Sequence, residues 1–200
     1  MVFICCGSCS KTPNTLPTGN SNHYIGEVFG GGVVFHVWRD AKGIEHGLII
    51  DKIDLSPNQV WSNIDSTLIG ANARSYMDGM TNSIAIVNQI GHDTSAAEVC
   101  LNSTNGGYTD WYLPAIYELE LLFKNRYDVY KTLQSINGAT ILNKKDWANQ
   151  SIYYSSTEDS KSYVLGFTFD EYRVINKEEC AKNNINPGNV KCHTRAVRLF

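Results

Sequence analysis

One segment constrains this chain more than any other. Gly106-Gly107-Tyr108-Thr109-Asp110-Trp111-Tyr112-Leu113-Pro114 runs directly into Glu118-Leu119-Glu120-Leu121-Leu122. Two glycines make a turn, and a tryptophan and a proline then lead into an acidic helix start. Pro114 suits the first helical position, where its missing N–H is harmless and its φ is preset. Ile116, Leu119, Leu122 and Phe123 follow at helical spacing and give that helix one apolar face. The segment predicts a buried turn and an amphipathic helix over about Pro114 to Tyr127.

The rest of the chain predicts strands at both ends and helices between them. Val33, Phe35 and Val37 alternate with Val34, His36 and Trp38. Asp40-Ala41-Lys42-Gly43 supplies a turn, and Glu45 to Ile50 returns as the partner strand. Gly30-Gly31-Gly32 opens no helix and has no Lys-Ser/Thr ending, so it reads as a bulge or close strand crossing, not a phosphate loop. Ile84, Val87, Asn88 and Ile90 point to a helix ending at Gly91, and Thr94 is a candidate cap for the next. Asp146 to Glu158 leads from a loop into a strand. Tyr163 to Ile175 alternates as strand, turn at Asp170-Glu171, strand, and Thr194 to Phe200 closes the chain. This order predicts an α+β domain with both termini in one antiparallel sheet and two or three short helices mid-chain.

With 42% apolar and 18% charged residues in 200, the chain has the composition of one globular domain. Its formal charge of -3 argues against a nucleic-acid surface.

Further blocks stand in order around the central segment. Ile25-Gly26-Glu27-Val28-Phe29-Gly30-Gly31-Gly32-Val33-Val34-Phe35 and Glu45-His46-Gly47-Leu48-Ile49-Ile50 precede it, as does Ala96-Ala97-Glu98-Val99-Cys100. Tyr153-Tyr154-Ser155-Ser156-Thr157-Glu158 and the terminal Arg195-Ala196-Val197-Arg198-Leu199-Phe200 follow it. Over about Tyr24 to Phe200 this order resembles the DUF1566 family, the C-terminal domain family of the Legionella collagen-like adhesin. The resemblance implies a fold related to C-type lectins and to the formylglycine-generating enzyme, and no particular reaction. It casts Asp110, Trp111 and the Ser155 to Glu158 string as framework, with Glu158 pairing Arg195 or Arg198.

Residues 1–23 read differently from the domain expected over 24–200. Met1 to Cys9 is short, apolar and Cys-rich, and a polar stretch with Pro13, Pro17 and Gly19 follows. Gly7-Ser8-Cys9 before such a tether resembles the end of a bacterial lipoprotein signal, with Cys9 lipidated. There is no basic n-region and eight residues are short for a full signal, so a longer signal upstream of Met1 is expected. Export to the cell envelope and membrane contact only through the lipid anchor follow. Cys6-Gly7-Ser8-Cys9 lacks the βαβ setting of a redox pair and the second ligand pair of a zinc site.

In an exported protein, Cys180 and Cys192 should form a disulfide around the loop between them. Cys100 sits in helical apolar context and reads as a buried thiol. The five histidines are scattered, giving no metal or catalytic spacing. Trp61-Ser62-Asn63 is faintly similar to the Trp-Asn-Asp string by which lectins hold calcium, but lacks the Asp. No cofactor is expected, and loop-held calcium stays open as an alternative. Late loops are the expected ligand face: Asn149, Tyr153, Asp170, Glu171, Tyr172, Arg173, Lys182, Asn183, Asn184 and Asn189. Tyr and Arg there would supply contact area, and Asn and Asp paired hydrogen bonds. The expected function is a non-enzymatic, adhesin-like surface module for a glycan or a partner protein. A formylglycine-generating-type enzyme and a phage receptor-binding or variable tail protein are the alternatives.

Overall fold

The computed structural model describes residues 22–56, 59–142, 151–169, 177–186 and 191–200. Two four-stranded sheets and four α-helices make a mixed α+β fold. The first sheet contains β1 (Val28–Phe29), β2 (Gly32–Arg39), β3 (Glu45–Asp51) and β8 (Val197–Leu199), in that spatial order and all antiparallel. Both ends of the domain therefore meet in one sheet. The Asn22 and His23 amides bond the Glu45 carboxylate at 2.9–3.1 Å.

The second sheet contains β4 (Ser151–Glu158), β5 (Tyr163–Thr168), β6 (Lys177–Ala181) and β7 (Lys191–His193), ordered β6-β5-β4-β7 with β4 and β7 parallel. Laid flat, its edge strands would stand about 14 Å apart at the usual strand spacing. Yet Cys180 on β6 and Cys192 on β7 bring their sulfurs to 2.8 Å. The sheet must therefore curl until its edges meet. Gly166 on β5 permits this, since a Cβ there would run into Cys180 Sγ and Ile152.

Between the sheets in sequence lie α1 (Gly79–Val87), α2 (Ala96–Leu101), α3 (Ile116–Lys124) and α4 (Arg126–Ser135). Strand residues alternate between two cores. Val34, Ile49, Ile152 and Tyr154 face a cluster with Ile86, Ala97, Cys100, Trp61 and Trp111. Val33, Phe35, Leu48, Ile50 and Tyr153 face a cluster with Ile116, Leu119, Leu122, Val129 and Leu133. Both faces of the central strands are covered, which is why their sequences read as continuous apolar runs.

Several local expectations are corrected. Pro114 precedes the N-cap residue Ala115 and is outside the helix. Ser95, not Thr94, caps α2, accepting the Glu98 amide at 3.0 Å. The helix expected from Pro114 to Tyr127 is two helices, broken at Asn125. The break has a cause in the neighbouring sheet. Register between β2 and β3 slips between Val34 and His36, leaving Phe35 without a ladder partner. The Asn125 amide donates to the Phe35 carbonyl at 2.9 Å, so the helix bends where its side chain satisfies the bulge. In α1 the buried face is partly polar. Asn82 donates to the Ser75 carbonyl at 2.7 Å and to Ser156 Oγ at 3.1 Å, while Ile84 is exposed.

Candidate binding cleft

The alternation of β2 places His36 and Trp38 on one face, and β3 sets Leu48 and His46 directly opposite them. Leu199 on β8 extends that row beside Leu48. Trp38 lies between two imidazoles, with ring centroids 5.4 Å from His36 and 5.6 Å from His46. Facing this floor are the N-terminal ends of α1 and α3, which the Tyr117 amide joins through the Tyr76 carbonyl at 3.0 Å. The space between is a cleft of about 730 Å³. Its walls carry Trp38, Tyr112, Tyr117, Met77, Met80 and the carboxylates of Asp78, Asp110 and Glu118.

Each carboxylate has a structural reason for its position. Asp78 caps α1, accepting Thr81 N at 2.9 Å and Thr81 Oγ1 at 2.7 Å, and it remains exposed. Asp110 receives Arg198 through Nε at 2.7 Å and Nη2 at 2.8 Å. That guanidinium holds the Asp110 carboxyl below its ordinary range. Glu118 accepts the Ala115 amide at 2.6 Å, reaching back to the N-cap as in a capping box, and the Tyr112 hydroxyl at 2.7 Å. Burial pushes its carboxyl up to about 7, against the lowering effect of those bonds. Burial and the adjoining Glu118 also raise the Tyr112 phenol, so it stays a hydrogen-bond donor. The His36 imidazole is lowered, first by burial and then by Lys124 behind it, which keeps it uncharged at neutral pH.

The described residues among those expected from sequence do not line this cleft. Asn149, Asp170, Glu171, Tyr172, Arg173 and Asn189 fall outside the described residues, as does Cys9. Tyr153 is 1% exposed, packed on Phe169 and His193, with its hydroxyl 3.3 Å from Asp54 Oδ2. It is a core residue and offers no face to a ligand. Asn184 is also buried, in the left-handed region at φ 59°, and holds the Gln59 carbonyl and the Cys192 amide at 3.1 Å. Asn183 is the exposed one among the described residues of that group, donating to Asp65 at 3.1 Å.

Lys182, expected on the recognition loop, is buried. Its ammonium stands 2.7 Å from Glu158 Oε1 and over the Trp61 ring. Glu158 therefore pairs with Lys182 and with neither arginine; Arg195 binds Asp54 at 2.5 Å and Arg198 binds Asp110. The framework reading of Ser155, Ser156 and Thr157 agrees with their complete burial and their bonds to Leu165 O, Asn82 and Ser75 O. Trp61 is fully buried and donates to the Ser155 carbonyl at 2.8 Å, so the Trp61-Ser62-Asn63 string belongs to the frame.

Cys100, Cys180 and Cys192 are all buried, and burial raises the Cys180 thiol well above its ordinary value. Among the described residues no group of three His, Cys, Asp or Glu side chains is arranged to hold a metal ion, and no helix is long and apolar enough to cross a membrane.

The cleft escaped the sequence reading because it is assembled from six separate stretches. One local signal existed: His36 and Trp38 place large rings two apart at the polar end of an otherwise buried strand. No family model matches the sequence, and no curated protein matches it significantly.

Proposed function

We propose that this protein is a non-enzymatic binding module of a bacterial cell surface, and that its ligand is a carbohydrate held in the Trp38–Tyr117 cleft. One observation carries the reading: exposed aromatic rings and carboxylates converge on a single open cleft of ligand size. Trp and Tyr give large contact area at small entropic cost, and carboxylate oxygens accept hydrogen bonds from hydroxyls. The DUF1566-like motif order and a C-type-lectin-like fold belong to the same proposal. So does display on a lipidated Cys9 at the end of the polar N-terminal stretch.

The enzyme alternative gains little from the cysteine pair. A reactive thiol needs access and a lowered pKa, whereas Cys180 and Cys192 are both fully buried and the Cys180 thiol is raised. A glycan-array screen of the whole chain tests the binding proposal. Saturable binding is expected, weakened at least about tenfold by Trp38→Ala and by Tyr117→Ala. A blank array with folded protein would refute the carbohydrate reading.

A further inference from the structure

Resting on that reading, we infer that the cleft selects a glycan bearing a protonated amine, such as an unacetylated amino sugar. Charge complementarity supports this class. The lining contains Asp78, Asp110 and Glu118 but no Lys or Arg; of the two imidazoles beside Trp38, His36 is held neutral and His46 stands 3.6 Å from the Asp40 carboxylate. Arg198 offsets the charge of Asp110 from outside the lining, and Lys124, behind His36, is already paired with Glu120 at 3.3 Å. Among the described residues Asp78 accepts a backbone amide and a hydroxyl and has no cationic partner.

Hydrogen-bonding capacity points the same way. An ionised carboxylate only accepts, and an ammonium only donates. Each Asp78 oxygen carries one bond from Thr81 and retains acceptor capacity toward the cleft. An N-acetylated sugar would present a carbonyl acceptor to these acceptors, whereas its deacetylated counterpart presents three N–H donors. Trp38 and Tyr117 are the exposed aromatic rings of the lining, and aromatic rings attract a cation through their quadrupoles. The thioethers of Met77 and Met80 add polarizable contact. An anionic sugar would lose hydration and meet the Asp78 charge, while the buried Glu118 carboxyl, raised to about 7, is protonated at mildly acidic pH.

The test uses two oligosaccharides of one length and linkage, an oligomer of glucosamine and the same oligomer of N-acetylglucosamine. Each is titrated into the whole protein by calorimetry at mildly acidic pH, where the sugar amines are protonated. The glucosamine oligomer should bind at least about tenfold more tightly, and added salt should narrow the gap. Asp78→Asn keeps a good helix cap while removing the charge, so it should weaken glucosamine binding severalfold with melting unchanged.

Equal or tighter binding of the acetylated oligomer overturns the inference. If glycan binding is still abolished by Trp38→Ala, the carbohydrate-module reading survives that result. No binding of either oligomer, with other glycans bound on the array, also defeats the amine inference alone; a blank array defeats both. Oligolysine binding as tightly as the glucosamine oligomer, with the same Asp78 dependence, would replace the sugar with a basic protein segment.

Discussion

Lys182 Nζ lies 2.7 Å from Glu158 Oε1, with both side chains wholly removed from solvent. Glu158 also accepts the amides of Ile69 and Gly70 at 2.9 and 2.8 Å, and Lys182 donates to the Thr67 carbonyl at 3.2 Å. The pair thus fastens the 67–70 segment onto the end of β4. A buried pair is costly to break by halves, because the survivor keeps an uncompensated charge. Lys182→Met should destabilise the fold by about 3–5 kcal/mol in urea unfolding. The double variant Lys182→Met/Glu158→Gln should recover a large part of that loss. If the two substitutions simply add, the partners are not energetically coupled.

Gly31 and Gly106 join the first and central sequence blocks. Both have positive φ, +87° and +66°, and a Cβ on Gly106 would collide with the Gly31 Cα. Gly106→Ala therefore combines left-handed strain with a backbone clash. Gly107 has similar φ, +82°, with open space around its absent Cβ. Gly107→Ala should cost about 1–2 kcal/mol from conformation alone, and Gly106→Ala clearly more. Thermal melting of the two variants checks the order; equal losses would show that the contact between the two turns contributes nothing.

How much of this was legible in the sequence varies from element to element. The β2–β3 hairpin was, because two apolar runs flanking the Asp40–Gly43 turn are a local pattern, although the slip between Val34 and His36 breaks their strict alternation. The existence of α3 was, because the apolar spacing of Ile116, Leu119, Leu122 and Phe123 is a local pattern, although the helix begins at Ile116 and not at Pro114. The break at Asn125 was not: apolar periodicity continues past it, and its cause is a carbonyl freed by a bulge 90 residues earlier. The partner of Glu158 was not, since the curl of β4–β5–β6 decides which cation reaches it. Trp38 is visible as a residue, but its cleft depends on walls from α1, α3 and the Asp110–Tyr112 segment.

Cys180 and Cys192 are placed to cross-link under oxidising conditions, each thiol losing its hydrogen to an added oxidant. The closed loop spans 12 positions, so the bond should add about 2–3 kcal/mol. Labelling denatured protein with a thiol reagent should then find Cys100 but neither of the other two among these three. Reductant should restore both and lower the melting temperature. Labelling of all three after oxidation would show that the contact does not close.

Glu118 gives the fold a pH dependence of defined sign. Its carboxyl rises from an ordinary 4.5 to about 7 on folding, chiefly through burial. Between those values the folded state holds a proton that the unfolded state has released, so stability falls as pH rises. The loss is complete above about 7 and totals about 3 kcal/mol. Glu118→Gln cannot ionise and keeps its amide oxygen as acceptor for the Ala115 N–H, while its NH2 donates to the Tyr112 hydroxyl oxygen. Asp51, also raised by burial, contributes in the same direction and is present in both proteins. The difference in unfolding free energy between wild type and variant isolates Glu118: it should move against the wild type by about 3 kcal/mol between pH 4.5 and 8. A difference constant across that window would mean that Glu118 ionises as it does in the unfolded chain, and that the Tyr112 and Ala115 bonds offset its burial.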